Sequence, residues 1–135
     1  MRKLVTLAMT GALVSGGLIG ATTAGAATQG ELTAQSCYGS AHDYDTVAGY
    51  HYEPPADYDY YKATSNCADI NIKTDTNRYV KVCFFTADNE FLYCQESHKL
   101  TTAGEWKVIA TNVNDGTRFK FHFRSDAVST GEYAS

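Results

Sequence analysis

The sequence has little that points to familiar catalytic chemistry. It contains no H-E-x-x-H, no nucleophile elbow of the G-x-S-x-G kind and no C-x-x-C pair, which argues against a zincin, an α/β-hydrolase and a zinc ribbon. Its four histidines, His42, His51, His98 and His122, show no metal-ligand spacing. No catalytic residue, metal or cofactor is therefore expected. Basic charge is also scarce: 11 Lys and Arg stand against 15 Asp and Glu, a net charge of −4, which speaks against nucleic acid as a partner. Proline occurs only as the pair Pro54-Pro55, and no long stretch keeps a helical period.

What the chain does have begins with its start. Arg2 and Lys3, the apolar run from Leu4 to Ile19 and Ala24-Gly25-Ala26 have the layout of a secretory signal peptide over residues 1–26. Glycines at 11, 16, 17 and 20 interrupt the run and argue against a membrane anchor. Without a twin arginine, the general export route is expected. Cleavage would remove two basic residues and no acidic one, leaving nine against fifteen, a charge of −6. Residues 27–36 are expected to be a loose mature N-terminus, residues 37–125 a single domain, and residues 126–135 a flexible tail. The expected localisation is secreted and extracellular, with no membrane association after cleavage and a monomeric state.

Four cysteines in an exported chain imply two disulfides. Their pairing comes from strand register. Arg78–Thr86 and Phe91–Ser97 are rich in β-branched and aromatic residues and flank Ala87–Glu90, so they read as a hairpin. A four-residue loop sets Thr86 against Phe91 and Cys83 against Cys94, at a non-hydrogen-bonded position where a cross-strand disulfide fits. Cys37–Cys67 remains.

Cys67–Thr74 alternates, with Ile70 and Ile72 on one side. A three-residue loop, Asp75 to Asn77, would pair Ile72 with Val80 and Ile70 with Val82. The expected dry face is Ile70, Ile72, Val80, Val82, Phe84, Phe91 and Tyr93. Asp115-Gly116 predicts a second hairpin of Glu105–Val113 with Thr117–Arg124, pairing Ala110 with Phe121 and Val108 with Phe123. In meander order, these strands predict an all-β fold: a small antiparallel β-sandwich or open barrel of five to seven strands, stapled by two disulfides.

Two surfaces are candidates for binding. If Phe119, Phe121 and Phe123 turn inward, Lys107, Arg118, Lys120, His122 and Arg124 form a cationic outer face suited to an anionic partner. The segment Tyr38–Tyr61 holds seven of the ten tyrosines and both prolines, and repeats Asp-Tyr-Asp at Asp43–Asp45 and Asp57–Asp59. Tyr44, Tyr50, Tyr52, Tyr58 and Tyr60 with Asp57 and Asp59 suit a sugar, rings stacking and carboxylates accepting hydroxyls. The same tyrosines also suit a lid over one sheet face, and the carboxylates are of a type that ligates calcium.

The leader, the size and the strand pattern resemble small secreted two-disulfide β-rich proteins of actinomycetes, and EWKVIATNVNDGTRFKFHFR, Glu105–Arg124, resembles the C-terminal half of members of that group. The resemblance covers about half of the mature chain and brings no activity with it. Small β-rich hydrolase inhibitors of the same bacteria are similar in architecture alone. The acidic, Tyr-rich composition is similar to that of secreted fungal guanyl-specific ribonucleases, where a pair such as His51/Glu53 would serve acid–base chemistry. The function expected is a secreted, non-enzymatic binding or inhibitory domain whose partner is an extracellular protein or a polysaccharide. The alternatives are a carbohydrate or cell-wall polymer binding module, or a small hydrolase such as a ribonuclease. Peptide mapping without reduction should return Cys37–Cys67 and Cys83–Cys94 as linked peptides with no free thiol, whereas a Cys37–Cys94 peptide would refute the hairpin register.

Overall fold

A computed structural model describes residues 35–135; the expected signal peptide and most of the loose N-terminus lie outside the described residues. After a helical turn over residues 35–39 come ten strand segments: β1 His42–Asp45, β2 Tyr52–Glu53, β3 Tyr61–Lys62, β4 Ile70–Thr74, β5 Tyr79–Phe85, β6 Phe91–Cys94, β7 Lys99–Leu100, β8 Trp106–Ala110, β9 Arg118–Phe123 and β10 Thr130–Ala134. Three of them are only two residues long. Sheet one has the order β2-β9-β5-β6, with β3 also on β9 and β7 also on β5; sheet two has the order β1-β10-β4-β8. Every pairing is antiparallel. The fold is a β-sandwich with both expected disulfides, Cys37–Cys67 and Cys83–Cys94.

The cysteine register holds: Cys83 lies opposite Cys94. The Gln95 amide donates to Val82 O at 2.9 Å, so the cysteines occupy the adjacent non-hydrogen-bonded position. The loop end differs from expectation. Phe84 pairs with Tyr93 but Phe85 pairs with Phe91, so Leu92 is an extra residue, a β-bulge. The Thr86 hydroxyl accepts from the Asp88 and Glu90 amides, which closes the turn a residue early.

The other two expected hairpins are not formed. β4 and β5 belong to opposite sheets, as do β8 and β9. Ile70 and Ile72 therefore meet Val80 and Val82 across the core instead of side by side. Alternation cannot separate these cases, because a hairpin and an arch between sheets both turn the same residues inward. What favours the arch is visible in its polar contacts. The buried Thr74 and Thr101 hydroxyls bond to each other at 2.5 Å, and Thr101 Oγ1 accepts from the Arg78 amide. Around Gly116 the Thr117 amide donates to Asn114 O across the expected turn, but the Gly116 and Val113 amides donate to Ala63 O and Ala68 O, so no hairpin ladder continues from it.

The core confirms the inward phenylalanines. Phe119 and Phe121 are fully buried and Phe123 nearly so, packed with Ile70, Ile72, Val80, Val82, Phe84 and Ile109. At about 25 cal/mol per Å² of apolar area, these side chains supply most of the folding drive. On β8 Ala110 is buried as expected, but Ile109 is buried too and Val108 is exposed. Ile70 pairs with Ala110 and Asn71 with Val108, so Ile109 sits in a bulge and turns in beside Ala110. Of the two residues of β6 expected on the dry face, Tyr93 stays paired with Phe84 but is 57% exposed on this edge strand, and Phe91, 59% exposed, is turned to the other face by the bulge. The Cys37–Cys67 bridge packs with Ala134, Tyr38 and Trp106 in a second cluster, where Tyr38 stacks on Trp106 at 4.5 Å.

The expected flexible tail is corrected most plainly. Thr130–Ala134 is an inner strand of sheet two, paired with β1 on one side and β4 on the other. Its small residues serve close packing. A Cβ on Gly131, which has φ +157°, would lie 2.9 Å from Tyr44 Cε1 and 3.0 Å from Thr74 Cα. Gly131→Ala is expected to cost about 2 kcal/mol or more, read as a lowered urea midpoint, while Leu92→Ala on the exposed bulge should stay within about 0.5 kcal/mol of the parent.

Candidate functional site

The site lies on the outer face of sheet one, the side of β5 and β9 turned away from the core. Strand alternation that sends Phe119, Phe121 and Phe123 inward sends Arg118, Lys120, His122 and Arg124 outward. Opposite them on β5 stand Phe85, Cys83 and Lys81, and the Arg124 amide donates to Tyr79 O. The tyrosine-rich segment covers the middle of this face, as a lid would.

Lys120 holds that cover. It is only 5% exposed, and its ammonium donates to Pro54 O at 3.1 Å and Ala56 O at 2.6 Å. The same ammonium lies 4.9 Å from the Tyr60 ring centroid and 6.0 Å from that of Phe85. Tyr60 packs on Phe85 at 4.7 Å, and its hydroxyl donates to Asp57 O and Asn89 O. Burial lowers the Lys120 pKa, and the nearby charges of Asp57, Asp59 and Glu53 oppose that shift.

Between the loop and the bulged strand lies a cleft of about 270 Å³, lined by Tyr52, Pro55, Asp57, Tyr60, Phe85, Phe91 and Lys120. The bulge at Leu92 is what puts Phe91 there. Without the extra residue, Phe91 would follow Tyr93 onto the inner face. Four aromatic side chains thus face one carboxylate and one ammonium.

The cationic face expected from sequence is redistributed. Lys107 belongs to sheet two, opposite Ile72, and shares no surface with the others. Lys120 is buried, because the loop supplies carbonyl oxygens and a ring face in place of water. Arg118 donates to the Asn89 side chain at 2.6 Å. Arg124 lies over the Tyr79 ring at 3.5 Å. His122 is half-buried among aromatic rings: Tyr52 meets it edge-on at 4.8 Å, and His51 stacks on it at 5.5 Å. His98, from the connection before β7, brings Nε2 within 2.9 Å of His122 Nδ1. Sequence reading missed this third histidine because no short-range pattern links residues 98 and 122.

The aromatic and acidic set divides likewise. Tyr52, Asp57 and Tyr60 converge on the cleft. Tyr50 lines a neighbouring depression of about 260 Å³ with Val47, Pro55 and Ala56. Tyr58 and Asp59 stand exposed on the loop. Tyr44 is corrected to the core: it is buried, its hydroxyl bonds to Ser129 Oγ at 2.9 Å, and burial pushes its pKa up to about 12. His51 and Glu53 are not hydrogen-bonded to each other. His51 Nδ1 bonds to Phe123 O, whereas Glu53 is buried opposite Phe121 and accepts from the Tyr61 hydroxyl at 2.6 Å. Glu53 Oε1 has no partner, and burial raises the pKa of this carboxyl. Among the described residues, no group of three His, Cys, Asp or Glu side chains is arranged to hold a metal ion.

No family model, no curated protein and no solved structure matches this chain. The reading of the site therefore rests on its chemistry.

Burial, followed by neighbouring cations, lowers the pKa of His98; burial, followed by His98 and Lys81, lowers that of His122 to about 4. Between that value and the ordinary histidine value near 6.5, the unfolded chain binds more protons than the folded one. Stability should then be full above pH 6.5 and fall as the pH drops toward 4. Urea midpoints at pH 7 and pH 4.5 should differ more for the parent than for the His98→Gln/His122→Gln double variant. Glu53 acts in both chains, so its opposite contribution cancels in that comparison.

Proposed function

We propose that this is an exported carbohydrate-binding domain with the outer-face cleft of sheet one as its ligand site. One observation carries the reading: Tyr52, Tyr60, Phe85 and Phe91 surround a cleft whose charged groups are the Asp57 carboxylate and the Lys120 ammonium. Sugar rings offer apolar C–H faces to aromatic side chains and hydroxyls to a few fixed polar groups. A carboxylate accepts from hydroxyls and an ammonium donates to them, so the pair suits a neutral polyol better than a purely apolar ligand. Lys120 is already held by two carbonyls, so a ligand meets a preorganised donor rather than a mobile one.

A second reading has its own observation. Leu92 and Tyr93 are 54% and 57% exposed beside Phe91 on the bulged edge strand, which Cys83–Cys94 pins. Exposed aromatic and aliphatic anchors on a rigid strand suit a protein interface, as in a hydrolase inhibitor.

The two readings separate by experiment. Glycan-array screening followed by calorimetry should find an oligosaccharide ligand. Phe91→Ala and Asp57→Ala should each weaken it about tenfold, on the order of 1–2 kcal/mol, while Leu92→Ala/Tyr93→Ala leaves it unchanged. Inhibition of a secreted protease or amylase, lost in Leu92→Ala/Tyr93→Ala, with no glycan bound, would favour the protein-binding reading instead.

A further inference from the structure

The end of the outer face beyond Tyr52 carries a second group of residues that the cleft does not use. Lys81 and His122 stand directly opposite each other on β5 and β9. Arg124, the next outward residue of β9, is fixed over the Tyr79 ring at 3.5 Å. His98 meets His122 at 2.9 Å, and His51 stacks on the other side at 5.5 Å. Four basic side chains, Lys81, Arg124, His98 and His51, thus gather around the His122 imidazole, the five coming from four segments. The Tyr52 and Tyr79 rings border the same group.

Among the described residues, no acid is ion-paired with this group. The ion pair found among the described residues is Lys73–Glu132, in sheet two. Among the described residues, Lys81 and Arg124 therefore have no carboxylate within 4 Å, in a protein whose net charge is −4. The charged neighbours acting on His98 are Lys81, Arg124 and His51, and those acting on His122 are His98, Lys81 and His51. Like charges so grouped repel one another, and the repulsion grows as the imidazoles protonate.

We propose that Lys81, Arg124, His51, His98 and His122 form an oxyanion site, taking a sulfate, phosphate or carboxylate group. At neutral pH Lys81 and Arg124 supply the fixed positive charge. An anion placed among them favours protonation of the adjacent imidazoles, because each new positive charge gains a partner. By linkage, the site then binds more tightly as the pH falls. The inference is independent of whether the cleft takes a sugar. Tyr52 borders both places, so a glycan seated in the cleft and bearing an acidic substituent would reach the site.

The test uses the purified protein, with sodium sulfate replacing sodium chloride at constant ionic strength. Histidine NMR titrations should show the His98 and His122 midpoints raised by about one pH unit in sulfate. The sulfate dissociation constant should be about tenfold lower at pH 5 than at pH 7.5. Lys81→Gln/Arg124→Gln should lose both effects while melting normally in chloride. Heparin run in parallel identifies the source of the anion: a response to both probes, tighter for the polymer, supports the site as one for a polymer-borne group. A response to sulfate alone supports it as a site for a free ion. Equal midpoints in sulfate and chloride, or a sulfate shift undiminished in the double variant, would overturn the proposal, and neither result bears on sugar binding in the cleft.

Discussion

The burial of the Lys120 ammonium is the constraint on which the outer face depends. A charge removed from water must be solvated by the protein, and here two loop carbonyls and an aromatic ring do so. Charge-assisted bonds of this kind are worth about 1.5–3 kcal/mol each. They tie Pro54 and Ala56 to the middle of sheet one, and with them the position of Asp57 and Tyr60. The cleft exists because the loop is held at that height above Phe85. Lys120 is thus both a structural post and one wall of the proposed ligand site.

The rest of the fold is arranged to leave that face intact. Tyr61 stacks on Tyr133 at 4.0 Å, inside the sandwich, immediately after Tyr60 turns outward. Neighbouring tyrosines therefore serve opposite sides of sheet one, Tyr61 in the core and Tyr60 in the cleft. The last strand closes sheet two, and its glycine admits the Tyr44 ring. A segment rich in tyrosine is consequently not one surface. Its members are sorted by strand alternation and by how far the opposite sheet extends.

Much of the candidate site was legible in parts. The outward set of β9 follows from Phe119, Phe121 and Phe123 pointing inward, and the tyrosine-rich segment was a natural cover. The sorting within each set was not legible. Lys120 and Arg118 have the same alternation, and only the loop above decides that one is buried. His98 and Phe91 entered the site through a connection and a bulge. Neither has a periodic signal, because each is a departure from regular pairing.

Local pattern by itself determined the β class, the inward phenylalanines and the Cys83–Cys94 register. Each of these depends on period-two alternation or on a count along one short hairpin, where contacts are close in sequence. Only the tertiary structure decided that β4 and β5, and β8 and β9, are arches between sheets, and that residues 130–134 form an inner strand. An arch and a hairpin bury the same side chains and differ only in which distant strand accepts the backbone hydrogen bonds. That choice is made by the whole sandwich, through contacts such as Thr74 with Thr101 and Gly116 with Ala63, and no window of the sequence contains it.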